Sequence, residues 1–474
     1  MLKILFLSAE VTPIAKVGGL GDVAGALPKA LADLGADIRL MLPYYGLIGP
    51  EYKTKLVIES LSVKISGREE DVSIWEAALP GSGVPIYLIK HKHFSGKAIY
   101  SSGAKMENSK YETDLNDIER FVFYSRASLA AAKALNFLPD IIHSNDWHVA
   151  SAFNYLAEDP ELKNSKKVFT IHNLANQGII GPDILNFSGM DPDLENIKRD
   201  LENGDINFMV QGILGSTLIN TVSPTYAKEI LTAEYGAGLD NVLKKRKKDL
   251  YGVLNGIDVD FFNPETDNLI PHKYSIKTLE EKIKNKSALQ KKLGLPQNEN
   301  IPLVGFVSRF VWQKGVDLIT ENFSGLDCQF VFLGTGEAKY EEHLKALADK
   351  YPDKFSAQIR FDEGLAHEIY AASDMFLVPS RFEPCGLTQM IAMRYGAVPV
   401  VRKTGGLADT VNWRNGFVFK DFSADVLYKT LEKAIKKYRA SSWKKLQIRG
   451  MKQDFSWKKS AKEYLKLYKK ALKK

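Results

Sequence analysis

Short apolar runs separated by longer amphipathic stretches recur along the whole chain. KILFLSAE from Lys3, DIRLMLP from Asp37, PIYLIK from Pro85, DIIHSND from Asp140, KKVFTIHN from Lys166 and STLINTVS from Ser216 each read as a buried strand. Strands that alternate with helical patterns predict βαβ units and a mostly parallel sheet. A helix is expected from about Asp22 to Leu34, with Val23, Ala26, Leu27, Ala30, Leu31 and Leu34 on one face and Gly35 ending it. A second series begins at IPLVGFVSRF from Ile301 and continues through CQFVFLGTG, SAQIRFDE, DMFLVPS and AVPVVRK. Between the two series, the polar region from Asn263 to Asn300 reads as a surface segment. The turn signal Asn255-Gly256, within YGVLNGID from Tyr251, marks a hinge. The expected domains are therefore 1–253, 254–454 and a terminal helix, 455–474. That helix is basic and amphipathic, with Trp457, Ala461, Tyr464, Leu465, Tyr468 and Leu472 on one face. It is expected to dock on its own protein.

Composition narrows this picture. The chain has 474 residues, too many for one ordinary core, and 45% apolar with 26% charged residues describes a globular protein. The net charge of +7 is modest, and much of it sits in KKRKK from Lys244 and in the tail after Trp457. Both read as solvated faces, since neither carries a nucleic-acid motif. Two cysteines, Cys328 and Cys385, exclude a disulfide framework or a Cys-rich metal site and suggest a reducing compartment. The opening stretch is broken by Glu10 and Pro13, against a signal peptide, and no apolar run approaches a membrane span.

One loop is spelled almost twice. KVGGLGDV from Lys16 and KTGGLADT from Lys403 each follow a strand and open a helix. Paired glycines permit close backbone approach, and a helix start offers N–H groups to an anion. The expectation is that both loops are presented to one cleft between two nucleotide-binding folds, with only Lys16 carrying a useful cation. VSRFVWQKG places Arg309 and Lys314 just past a buried strand, ahead of an expected helix near Gly315. Two cations there suit a diphosphate. In PSRFEPCGLTQ, Glu383 lies in a loop after a strand, and an ionised carboxylate beside phosphates is better placed to hold sugar hydroxyls. His172 ends a strand in TIHNLANQG. His143, Asp146 and His148 cluster at another strand end without a zinc spacing. There is no P-loop, no G-x-S-x-G elbow and no completed G-x-G-x-x-G.

Taken together, KVGGLGDV, TIHNLANQG, VSRFVWQKG, SRFEPCGLTQ and KTGGLADTV resemble, in order and spacing, the bacterial glycogen synthase and plant starch synthase family of retaining glycosyltransferases. The likeness runs over nearly the whole chain. It implies an α/β GT-B fold: two Rossmann-like doubly wound domains facing a central cleft, with a C-terminal helix crossing back to the first domain. It implies transfer of glucose from ADP-glucose to the 4-OH at the non-reducing end of an α-1,4-glucan, with no metal or other cofactor. With the composition above, the expectation is a cytoplasmic monomer or small homo-oligomer, without nucleic-acid or membrane partners. The catalytic residues implied are Arg309, Lys314, Glu383, His172 and Asp146. The substrate-binding residues implied are Lys16, Gly18, Gly19, Asp22, Asn173, Asn255, Phe361, Cys385, Gly386, Leu387 and Thr388. Three positions depart from the family pattern: Asn145 for a common His, Phe361 for a common Tyr on the adenine, and FFNP from Phe261 for a common Trp-Asn-Pro. Two rivals remain: a related transferase making a small sugar such as sucrose, and an inactive glucan-binding protein.

Overall fold

The computed structural model describes residues 1–101, 115–157 and 159–474. The chain forms two compact units. The first comprises Met1–Val222, Ala227–Val253 and Trp457–Lys474, and the second comprises Ser223–Tyr226 and Leu254–Ser456.

The strands of the first unit are, in chain order, β1 (Lys3–Leu7), β2 (Asp37–Pro43), β3 (Lys55–Ile65), β4 (Arg68–Ala78), β5 (Pro85–Lys90), β6 (Ile141–Asn145), β7 (Lys166–Ile171), the short pair β8 (Ile179–Ile180) and β9 (Ile206–Asn207), then β10 (Leu218–Thr221) and β11 (Leu250–Gly252). Nine of them make one sheet in the order β11-β10-β7-β6-β1-β2-β5-β4-β3. It is parallel from β11 to β5 and ends in the antiparallel strands β4 and β3. The chain runs outward one way from β1 and the other way from β6. The order therefore reverses between these two strands, and in open α/β sheets ligands bind at the carboxyl side of such a switch point.

The second unit holds β12 (Leu303–Val307), β13 (Gln329–Gly334), β14 (Phe355–Ile359), β15 (Met375–Val378), β16 (Val398–Arg402) and β17 (Phe417–Phe419). They form a six-stranded parallel sheet, β14-β13-β12-β15-β16-β17, whose switch point lies between β12 and β15. Its core is dense in aromatics, and Phe330 stacks on both Phe332 and Phe355.

The terminal helix, Trp457–Leu472, belongs to the first unit and packs on the helix Gly19–Asp33. A buried polar network holds it. His143 bridges Thr170 Oγ1 (2.7 Å) and Tyr468 Oη (2.8 Å), and Asn220 donates to Tyr464 Oη (3.0 Å). The buried face differs from the expected one. Leu467 and Ala471 are inside, Leu465 is half-buried and Leu472 is exposed. The two buried tyrosines set the rotation of the helix, because each hydroxyl must reach a partner. In the helix Gly19–Asp33, Ala26 and Leu34 are half-buried, whereas Leu20 and Ala24 are inside.

Three further expectations need correction. The polar region before the second sheet is not merely surface. It contains the helix Lys282–Leu293, with Lys282, Asn285, Lys286 and Gln290 buried. Lys286 pairs with Asp374 at 2.8 Å, and Lys282 donates to the carbonyls of Tyr370 and Ala371. A buried face on which four polar side chains accompany a single apolar one, Leu289, leaves little apolar periodicity to read. The stretch around Gly315 is not a regular helix but two tight turns, Trp312–Lys314 and Val316–Leu318. They are joined by Gly315 at φ +71°, where a Cβ would lie 2.3 Å from the Pro379 carbonyl. Finally, KKRKK is not a uniformly solvated run. Arg246 turns inward and donates to the carbonyls of Ile213 (2.6 Å), Leu214 (3.1 Å) and Ser216 (2.9 Å), capping the helix Phe208–Gly215.

Candidate functional site

In the first unit, the loop after β1 meets the loop after β6. Glu10 is 3% exposed. Its Oε2 accepts from the N–H groups of Val17 and Gly18, both at 2.7 Å, and its Oε1 accepts from the Tyr100 hydroxyl at 2.6 Å. Three donors on one buried carboxylate hold the glycine loop in shape. Because Gly18 gives its N–H to Glu10, that donor is not available to a ligand as the paired glycines suggested. A Cβ on Gly19 would meet nothing within 4 Å, so the loop surface there is open. Lys16 is half-exposed beside Asp22, at 2.6 Å. Glu10 was not singled out in the sequence as a site residue, since a carboxylate three positions past a strand carries no motif of its own.

At the end of β6, Asp146 is buried and adopts φ +58°, ψ 179°, a conformation that costs a residue with a side chain of order 1–3 kcal/mol. Its Oδ1 accepts from the His172 N–H at 2.7 Å, and the Asn173 N–H also donates to the carboxylate. Burial nevertheless pushes the carboxyl up to about 7. His172 is buried, which pushes its imidazole down to about 3, and its Nε2 lies 3.0 Å from Asn145 Oδ1. His148 is likewise pushed down to about 3 by burial and stacks on Trp147. His143 points away to Tyr468, so His143, Asp146 and His148 do not converge. Among the described residues, no group of three His, Cys, Asp or Glu side chains is arranged to hold a metal ion.

In the second unit, Arg309 and Lys314 follow β12, and Glu383 follows β15. Lys314 Nζ meets Glu383 Oε2 at 2.6 Å, and Ser380 donates to the same oxygen at 2.9 Å. Glu383 Oε1 has no hydrogen-bond partner among the described residues. Arg309 is exposed, with no carboxylate partner among the described residues. A pocket of about 50 Å³ is lined by Lys314, Ser380, Glu383 and Gly386–Thr388. Gly386 has φ +72° and turns the chain into the helix Thr388–Arg394. Cys385 is buried, which pushes its thiol up to about 12, and the Asn255 N–H donates to its sulfur. That thiol is an inert packing group. The Asn255 Oδ1 is buried without a partner among the described residues. Phe361 is 90% exposed, on the loop after β14.

The second glycine loop does not copy the first. Gly405 has φ +43°, and a Cβ there would lie 1.9 Å from the Glu383 carbonyl. At Gly406 it would lie 2.1 Å from the Cys385 carbonyl. The Gly406 N–H donates to the carbonyls of Glu383 and Pro384. This loop is a backbone brace under Glu383, so its glycines are tightly packed where Gly19 of the first loop is open.

A larger concavity, about 900 Å³, lies at the opposite ends of these strands, lined by Ile301, Asp327 and Asp374, which precede β12, β13 and β15. No expected site residue lines it.

The two halves of the chain match different family models: the starch synthase catalytic domain over residues 3–245 and glycosyl transferases group 1 over residues 285–453. Over their full lengths, the chain and a glycogen synthase of Thermosipho africanus are 44% identical. A glycogen synthase of Clostridium novyi is 45% identical, over 98% of each chain. The chain belongs to the glycogen and starch synthase family. The catalytic domain of starch synthase IV from Arabidopsis thaliana, bound to ADP and acarbose, superposes over all of both chains with a TM-score of 0.89 at 35% identity. A sucrose-phosphate synthase from Thermosynechococcus elongatus, at 17% identity and a TM-score of 0.61, shares the GT-B fold alone. This glycosyltransferase family therefore accounts for the chain from end to end, and the fold is the one the motifs implied. No helix among the described residues is long and apolar enough to cross a membrane.

For a member of this family, Glu10 is the informative addition. Glu10→Ala is expected to lose about 1–3 kcal/mol of stability, because the Val17 and Gly18 N–H groups lose their acceptor. The KM for the nucleotide sugar should rise. Urea unfolding and donor titration check this, and wild-type values in both would mean that the loop holds itself.

Proposed function

We propose that this enzyme transfers glucose from ADP-glucose to the non-reducing 4-OH of an α-1,4-glucan, with retention and without a metal ion. One observation carries the reading: in each sheet, the site residues, all but Glu10 expected from the sequence, stand just past the carboxyl ends of the two strands that flank the switch point. These are Glu10 and Asp146 in the first unit, and Arg309, Lys314 and Glu383 in the second. In this proposal Arg309 and Lys314 neutralise the charge that develops on the diphosphate as it leaves, the work a metal would otherwise do. Glu383, through its open Oε1, holds glucose hydroxyls. Lys16 and the open turn at Gly19 bind phosphate oxygens, and Asp22 sets the lysine. Phe361 stacks on the base, with Asn255 and the Gly386–Thr388 turn close to the nucleotide sugar. His172 and Asn173, held by Asp146, lie against the transferred sugar.

The ADP and acarbose of the starch synthase neighbour support a nucleotide and a glucan as partners. Two buried, unbridged cysteines are compatible with the cytoplasm as its location. The test is glucose incorporation into glycogen in the presence of a chelator, with ADP-glucose and UDP-glucose compared and a monosaccharide acceptor run alongside. ADP-glucose and glycogen are expected to be the preferred pair. Preference for UDP-glucose would reassign the donor, with Phe361 the first residue to examine. Preference for the monosaccharide would favour the small-sugar reading, and no transfer at all the binding-protein one.

A further inference from the structure

Asn145 is fully buried at the end of β6, and its side-chain amide has a fixed orientation. Its Nδ2 faces two carbonyls, Leu7 at 3.0 Å and His143 at 3.5 Å, and donates to both. Turning the amide over would set an oxygen against those carbonyls. The Oδ1 must therefore point the other way, and there it lies 3.0 Å from His172 Nε2. An amide oxygen only accepts, so the Nε2 must carry a proton. In a neutral imidazole the proton on one nitrogen leaves a lone pair on the other. His172 Nδ1 has no hydrogen-bond partner among the described residues. The backbone of the same residue is fixed separately, by its N–H on Asp146.

We propose that Asn145 is a positioning residue that locks His172 as the Nε2-protonated tautomer, so that its Nδ1 accepts a hydrogen bond from a substrate hydroxyl. Leu7, at the end of β1, sets the amide. The amide sets the imidazole, and the imidazole distinguishes a donating hydroxyl from a group that can only accept. The assignment of that hydroxyl to the sugar rests on the transferase reading above, but the tautomer does not. Burial supports a neutral ring across the working range. The titratable groups around it are Asp146 at its N–H and His143 and His148 nearby, both held neutral by burial, with Glu10 acting on Asp146.

The experiment uses the full chain, labelled with nitrogen-15 in its histidines, and reads the imidazole nitrogens by long-range proton–nitrogen spectra. A His172→Gln spectrum assigns the signal. Wild type is expected to show one neutral tautomer with Nε2 protonated. Asn145→Leu should lose that single signature and lower kcat by roughly tenfold to a hundredfold, with both KM values little changed. Asn145→Asp should give the imidazolium form as the introduced carboxyl ionises, and its kcat relative to wild type should fall as pH rises. A wild-type spectrum with Nδ1 protonated would overturn the proposal, and so would Asn145→Leu with an unchanged tautomer or an unchanged kcat. Should the leucine variant fail to fold, the wild-type spectrum and the aspartate variant still decide. A wild type that transfers no glucose but shows the Nε2 proton would instead count against the transferase reading.

Discussion

Lys314→Ala is expected to lower kcat by roughly a hundred- to a thousandfold, about 3–4 kcal/mol, while the KM for glucan changes little. The lysine contacts a carboxylate in the resting structure, yet in the proposed reaction it faces a developing diphosphate. Its charge is worth most in the transition state, so its loss should appear in kcat. Part of the effect is indirect. Without the ammonium group, Glu383 keeps only Ser380 as a side-chain partner on Oε2 and is free to turn. Glu383→Gln breaks the same ion pair while keeping the side chain's shape. If the two residues act as one unit, the double variant should lose little more than the worse single variant. Fully additive losses would mean independent roles. Unchanged kcat in Lys314→Ala would remove the lysine from the chemistry.

The second large effect separates the two glycine loops. Gly405→Ala places a Cβ 1.9 Å from the Glu383 carbonyl at φ +43°. The neighbour is backbone that also anchors the Glu383 carboxylate, so it cannot give way cheaply. Overpacking of this kind costs about 1–3 kcal/mol, and the left-handed backbone adds about 1–2 kcal/mol. Gly19→Ala meets open space at the first residue of a helix and should leave stability unchanged or slightly raised. Its expected cost falls on nucleotide-sugar KM, since the added methyl occupies the open turn. Chemical denaturation and donor kinetics on the pair check both halves. Equal stability losses would mean that the loops are true copies.

That contrast shows where the sequence was legible. The central parallel strands were readable because most are short apolar runs buried on both faces, and the motifs lay where those strands end; β3 and β4, half exposed at the sheet edge, carry no such run. The glycine echo was readable as spelling but not as geometry. The residue that a Cβ would strike, Glu383, is far away in the chain and reaches Gly405 only through the fold. Glu10 was hidden for a similar reason: its partners are backbone N–H groups and Tyr100, none of which constrains residue type in a recognisable pattern. Arg246 was lost inside a basic run, where one inward-turned guanidinium looks like its four solvated neighbours. Lys282 and Lys286 defeated the periodic reading altogether, because their buried helix face is built from paired charges and carbonyl contacts.

The central claim is that side-chain cations at the end of β12 do the work of a metal in glucose transfer. The most direct test measures initial rates of glucose incorporation into glycogen from ADP-glucose, for wild type and Lys314→Ala side by side, with a chelator and then with added divalent metal. The account predicts wild-type turnover that ignores both additions, and a variant whose lost kcat metal does not restore. A wild-type rate abolished by the chelator and recovered with metal would contradict it.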